Sequence, residues 1–223
     1  MIRPLTPLEA RVLGVLVEKQ ATVPDTYPLS LNALQAGCNQ KTARDPVIQA
    51  SEAEVLVAVD SLKSLSLLFE SSGGRVARYE HNMQRAYALP GQSVALLTVL
   101  MLRGPQTAAE LRANTERLHR FADVSSVEGF LDELATKQPP HVIRLPRAPG
   151  SREARWAHLL CGEVALPVHA AAHDVPGEFA VTVGELAAIK AEQARLVAQV
   201  EELRAMVSRL STELGLSGAP KEG

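Results

Sequence analysis

The stretch SEAEVLVAVDSLKSLSLLFESSGGRVARYE, residues 51–80, decides the fold. Ser51-Glu52-Ala53-Glu54 spells a capping box, in which a hydroxyl satisfies a free helix amide and the glutamate reaches back to the cap. Val55, Ala58, Val59, Leu62 and Leu65 follow three and four apart, the apolar stripe of an amphipathic helix. Leu67-Leu68-Phe69-Glu70 and Val76-Ala77-Arg78-Tyr79-Glu80 then flank Ser71-Ser72-Gly73-Gly74, which reads as a β-hairpin with a permissive turn.

Working back from this stretch, two further helices precede it. Thr6-Pro7-Leu8-Glu9 offers a cap, a proline suited to the first helical position and a second capping box. Leu8, Val12, Leu16 and Lys19 continue at helical spacing with Leu13 alongside, so the first helix is expected to end near Gln20. Pro24, Asp25 and Pro28 mark turns, and Ser30 starts a short helix carrying Leu31 and Leu34 and stopped by Gly37. Asn39 to Pro46 is polar, and Pro46 keeps Asp45 out of helical geometry. Three helices followed by a hairpin are the order of a winged helix, a helix-turn-helix with a β-ribbon appended.

The order recurs downstream. Ser93 to Leu102 is an apolar helix, Thr107-Ala108-Ala109-Glu110 opens another, and Ser125-Ser126-Val127-Glu128 opens a third carrying Val127, Phe130, Leu131 and Leu134. His141 to Leu145 and Ala154 to Leu159 are strands around a turn at Pro149-Gly150-Ser151. The expected class is therefore mainly α with small β-hairpins (α+β), with winged-helix domains over 1–89 and 90–160. Residues 161–181, rich in Ala, Pro and His, read as a linker.

Residues 182–214 read as a coiled-coil helix opened by Thr182-Val183-Gly184-Glu185. Its seam is Leu186, Ile189, Gln193, Leu196, Val200, Leu203, Val207, Leu210 and Leu214, alternately three and four apart. Valine at a with leucine at d favours a parallel two-stranded coil, which would make the protein a homodimer. The same face would also suit a helix folded back on its own globule. Residues 215–223 are expected to be a disordered tail.

Composition excludes several classes. No apolar run reaches the roughly 18–20 residues that cross a bilayer, and Met1 to Pro7 lacks a signal pattern. Only Cys38 and Cys161 occur, too few for a disulfide scaffold, so a reducing cytoplasm is expected. Residues 1–160 carry 18 Lys/Arg against 16 Asp/Glu, and residues 161–223 carry 5 against 9. Neither portion has the strong basic excess of an ordinary nucleic-acid binder.

Four motifs carry a family resemblance: Asn39-Gln40-Lys41-Thr42-Ala43-Arg44-Asp45-Pro46-Val47, Arg75-Val76-Ala77-Arg78-Tyr79-Glu80-His81, Leu102-Arg103-Gly104-Pro105-Gln106-Thr107, and Glu110-Leu111-Arg112. Together they resemble the YceH-like family of bacterial proteins of unknown function, over roughly residues 5–160. The resemblance implies a tandem winged-helix fold and no particular activity. Where that family usually has Asn or Ser-Asn this chain has Thr42-Ala43, so any contact made by a side chain at position 43 would be missing.

No catalytic constellation, cofactor loop or metal-ligand set stands out, and an enzyme is not expected. His169 and His173 lie four apart but lack a third ligand at fixed spacing, and Cys38 reads as a buried structural thiol. Double-stranded DNA is the partner the fold suggests, yet the third helix of each repeat carries a net charge of −2: Glu52, Glu54, Asp60 and Lys63 in one, Glu128, Asp132, Glu133 and Lys137 in the other. That disfavours insertion into a groove. The basic and polar candidates lie in loops and wings: Asn39, Gln40, Lys41 and Arg44; Arg75, Arg78 and His81; Arg112, Arg117 and Arg120 beside His119; Arg144, Arg147, Arg152 and Arg155. Loops and wings contact phosphates, which position a protein without reading sequence. Asn39 to Pro46 reads equally as a partner-binding surface or as a structural turn in which Arg44 pairs with a carboxylate. The alternative function is a protein-interaction adaptor whose winged helices do not grip DNA.

Overall fold

The computed structural model describes residues 2–71, 76–147 and 150–164. The chain divides into the compact units Met1–His169 and Ala170–Gly223, and the described residues lie in the first. It is an α+β structure of helices with two small antiparallel sheets. The linker beyond residue 164, the heptad seam from Leu186 to Leu214, the tail and the His169/His173 pair lie outside the described residues.

The first half holds α1 (Pro7–Thr22), β1 (Leu29–Ser30), α2 (Leu31–Cys38), α3 (Glu52–Ser64), β2 (Leu68–Ser71), β3 (Arg78–His81) and a one-turn helix α4 (Met83–Ala86). The second holds α5 (Gly91–Arg103), α6 (Ala108–Asn114), α7 (Val124–Thr136), β4 (Val142–Arg144) and β5 (Trp156–His158). The capping boxes at Thr6, Ser51 and Thr107 all form, each hydroxyl accepting from the amide three residues on and each glutamate accepting from the cap's own amide. The cap of α7 is corrected: Asp123, not Ser125, accepts from the Ser126 amide at 2.7 Å. A carboxylate outcompetes a hydroxyl for free helix amides because its negative charge also favours the helix N-terminus. Helix α1 also runs two residues past Gln20, to Thr22.

Each half contains an element with no signature of its own. β1 adds a third strand to the hairpin, pairing Leu29 with Tyr79 and Ser30 with Arg78. In the second half Gln106, just before α6, bridges Trp156 through amide–carbonyl bonds of 3.1 and 2.7 Å. In both repeats, then, the chain entering the second helix docks on the second hairpin strand.

Helices α1 and α5 form the centre. Every residue from Glu9 to Val17 is buried, and so is every residue from Ser93 to Leu102. A helix buried all round is a core element, not a surface one. The two approach closely at Gly14, where an added Cβ would stand 3.0 Å from a Leu102 methyl. The halves are also tied by backbone: the Asp45 amide donates to the Leu102 carbonyl at 2.8 Å, and the Leu5 amide to the Leu160 carbonyl at 2.8 Å. The first bond satisfies one of the carbonyls that the end of α5 leaves without a helical partner. Gly104 follows at φ 71°, in the left-handed region that glycine occupies without strain.

Helix α2 is pressed onto α1 at Gly37, where a Cβ would stand 2.6 Å from Val15 Cγ1. Gly37→Ala is therefore expected to overpack the pair and cost about 1–3 kcal/mol. The shift in urea midpoint measures this; a neutral result would mean that the helices can slide apart.

Candidate nucleic-acid interface

In the first half, the charged and polar candidates mostly serve the fold. Asn39 clamps the entry to α3, its amide nitrogen donating to the Ala50 carbonyl at 2.8 Å and its side-chain oxygen accepting from the Ala50 amide at 2.8 Å. Gln40 accepts from Lys19 at 3.2 Å and donates to Thr42. Arg44 is corrected from contact residue to internal strut. Its side chain is fully buried and pairs with Glu18 through Nη1–Oε1 at 3.0 Å and Nη2–Oε2 at 2.6 Å. The structural reading of this turn therefore holds for Asn39 and Arg44, while Lys41 stays exposed.

His81 is likewise corrected as a cationic contact. Its Nδ1 accepts from the Met83 amide at 3.3 Å, so Nε2 carries the proton shared with Gln20 Oε1 at 2.8 Å. Burial pushes its pKa down to about 4, and the ring is neutral at physiological pH. Arg78 is exposed but tethered to the Pro28 carbonyl at 2.8 Å. Arg75 lies outside the described residues.

Burial also pushes His158, on β5, down to about 4. Both imidazoles therefore resist protonation when folded and accept it near 6.5 when unfolded. Between these values the unfolded chain binds more protons, so stability is at its full value above about pH 6.5 and falls as pH drops toward 4. The urea midpoint is expected to be flat from pH 8 to 7 and lower by pH 5.5; an unchanged midpoint at 5.5 would contradict the burial of these rings.

The second half presents its arginines outward. Arg112 is exposed and caps the Ala122 carbonyl at 3.0 Å, and Arg117 and Arg120 are exposed in the loop that follows α6. Arg155 is partly committed, donating to the Pro105 carbonyl at 2.9 Å and lying 3.3 Å from Glu110. Arg144, Arg147 and Arg152 border one concavity of about 680 Å³ beside the second hairpin. Arg144 lies 5.8 Å over the Trp156 ring, a cation–π contact that holds its guanidinium. None of the three is in an ion pair among the described residues, although Glu128 and Glu153 share the rim. The first turns of α6 and α7, through Ala108 and Val124, also face this concavity. Guanidinium groups gathered in this way suit phosphate oxygens, which accept charge-assisted hydrogen bonds from them.

The outer face of α3 offers something different. Val57 is 71% and Leu56 39% exposed, beside the exposed acids Glu52, Glu54 and Asp60. An apolar and acidic face has nothing to offer a groove lined by phosphates. Among the described residues no helix is long and apolar enough to cross a membrane, and no cluster of three or more His, Cys, Asp or Glu could hold a metal ion. Cys38 is fully buried, with its thiol pushed up to about 12 by burial.

Sequence reasoning passed over Glu18, Arg11 and His158. The one local signal was a charged residue inside the buried run of α1. Arg11 sits between Ala10 and Val12, where a surface arginine would interrupt the apolar pattern.

A family model described as a protein of unknown function, DUF480, matches residues 5–151. The chain is similar to a UPF0502 protein of Leptothrix cholodnii, at 65% identity over 99% of this chain and 100% of the relative. It is also similar to UPF0502 proteins of Burkholderia multivorans (65%) and Burkholderia thailandensis (66%), each over 96% of this chain and 91% of the relative.

Proposed function

The chain belongs to the DUF480 family of proteins of unknown function, and from that premise we propose that it is a cytoplasmic, non-enzymatic DNA-binding protein of two tandem winged-helix domains, working as a homodimer. The repeated order of three helices and a hairpin supports the winged-helix reading, as does the matching third-strand contact in each repeat. The observation that carries DNA binding is the convergence of Arg144, Arg147 and Arg152 on one exposed concavity without carboxylate ion pairs among the described residues. Grip comes from phosphate contacts by the second half, with Arg112, Arg117 and Arg120 adding to it, and not from a helix reading bases. The heptads from Leu186 to Leu214 would pair two chains, and two weak grips on one duplex multiply.

The test is binding to a random-sequence duplex over a salt series. Log affinity should fall linearly with log salt, by about 0.9 for each phosphate neutralised. The triple change Arg144→Ala, Arg147→Ala, Arg152→Ala should shrink that slope by roughly two to three. No binding at low salt, or an unchanged slope in the triple variant, removes the proposal. Sedimentation of the full chain as a monomer removes the dimer.

One observation favours a second reading, an adaptor that docks a protein on α3: the exposed pair Leu56 and Val57. In that case a nuclease-resistant protein partner is retained by the wild type and lost on Val57→Asp, while the arginine variant keeps it.

A further inference from the structure

The buried charges along α1 are unequally matched. Glu9 has Arg3 at 2.7 Å and Glu18 has Arg44 at 2.6 Å. Arg11, between them, is only 4% exposed and forms no ion pair among the described residues. Its Nη1 and Nη2 donate to the carbonyls of Cys38 at 3.3 Å and Pro46 at 2.7 Å, and its Nε has no partner. A buried donor left without an acceptor carries its desolvation penalty uncompensated. Such a group is placed to donate to a bound acceptor.

Arg11 lines a cleft of about 530 Å³ where the two halves meet. This lies within the roughly 300–1,000 Å³ of small-molecule sites. A second orphan lines the same cleft: the Nδ1 of His158 is buried and unpartnered. That ring is neutral, so one tautomer presents an Nδ1–H donor. Leu8, Ile48, Leu100 and Met101 supply an apolar wall. Asp45 also lines the cleft, exposed and outside any ion pair among the described residues. The remaining carboxylate, Glu54, is occupied in capping α3 through Ser51 at 2.7 Å.

These groups constrain the ligand from both sides. An apolar molecule without an acceptor would leave Arg11 and His158 unsatisfied. A simple organic anion would satisfy them but face the negative charge of Asp45. We propose that the cleft binds a small zwitterion with an apolar body, an aliphatic or aromatic α-amino acid. Its carboxylate is taken by Arg11 and His158, its ammonium by Asp45, and its side chain by the apolar wall. The site is independent of the arginine concavity on the second hairpin and does not rest on DNA binding.

The experiment is calorimetric titration of the full chain with L-leucine and L-phenylalanine, alongside two analogues of leucine that each lack one charge, 4-methylpentanoate and isopentylamine. A charge-assisted hydrogen bond contributes about 1.5–3 kcal/mol, so each analogue should bind at least roughly tenfold more weakly than leucine. Asp45→Asn, at an exposed position, should weaken leucine to a similar degree and leave 4-methylpentanoate unchanged or improved. Cys161 also lines the cleft, whereas Cys38 is fully buried, so bound amino acid should slow maleimide labelling of the native protein at Cys161. No heat and no protection at millimolar amino acid would mean a crevice filled by water only and would overturn the proposal. Equal affinity for the single-charge analogues, or binding without protection of Cys161, would overturn it as well.

Discussion

Replacing Glu18 by alanine is expected to remove about 3–5 kcal/mol of folding stability, because it strands a charge that cannot reach water. The Arg44 side chain has no exposure, and Glu18 supplies both of its charged contacts, at 3.0 and 2.6 Å. Its remaining donors reach only the Gly37 carbonyl at 3.2 Å and the Ala43 carbonyl at 2.9 Å. Burial alone would push the Glu18 carboxyl up, but the Arg44 pair, helped by Lys19, more than reverses this and holds it below the ordinary carboxylate value. A carboxyl depressed on folding contributes stability that is present above its unfolded pKa and lost as pH falls through the folded one. Urea unfolding at pH 7 should therefore show the full deficit of Glu18→Ala, and a smaller deficit in acid. The double change Glu18→Leu, Arg44→Met should recover much of the loss, since a buried pair contributes little net stability over apolar groups of similar size. A single-variant deficit under 1 kcal/mol would show that Arg44 finds water or another partner.

Leu13→Ala, in the first half, should cost about 2–5 kcal/mol, the range for truncating a fully buried leucine. The effect should also be felt in the second half. Trp156 is the only tryptophan of the chain and lies on β5, so its fluorescence reports unfolding from that side. With α1 and α5 buried against each other and the halves joined at Asp45–Leu102 and Leu5–Leu160, the halves share one core and are expected to unfold together. The Trp156 transition and the helix transition seen by circular dichroism should coincide in the wild type and shift together in Leu13→Ala. A Trp156 transition left at its original midpoint would show that the halves are energetically separate.

Capping boxes and apolar stripes are local, and the structure repeats them residue for residue at Thr6, Ser51 and Thr107. The α7 cap is ambiguous in the sequence because Asp123 and Ser125 both suit the role two residues apart, and only the backbone at Asp123 is extended in the way a cap requires. β1 and the Gln106 bridge left no trace in the pattern. A two-residue strand has no period, and it exists only because Tyr79 or Trp156 is brought to it. The candidate interface divides along the same line. Arg44 and His81 display charge or polarity in the sequence; both are structural because of burial, which a sequence does not display. Arg11, His158 and Asp45 lie far apart in the chain, and nothing in their spacing announces that they share a cleft.

What the order of amino acids determined alone is the longer helices, the caps at Thr6, Ser30, Ser51 and Thr107 and the two hairpins, because each depends on contacts within a few residues. What only the tertiary structure decided is which helices are buried on every side, which charges meet inside and which arginines remain exposed. Those outcomes depend on how far each group stands from water, and that distance is set by neighbours from the other half of the fold.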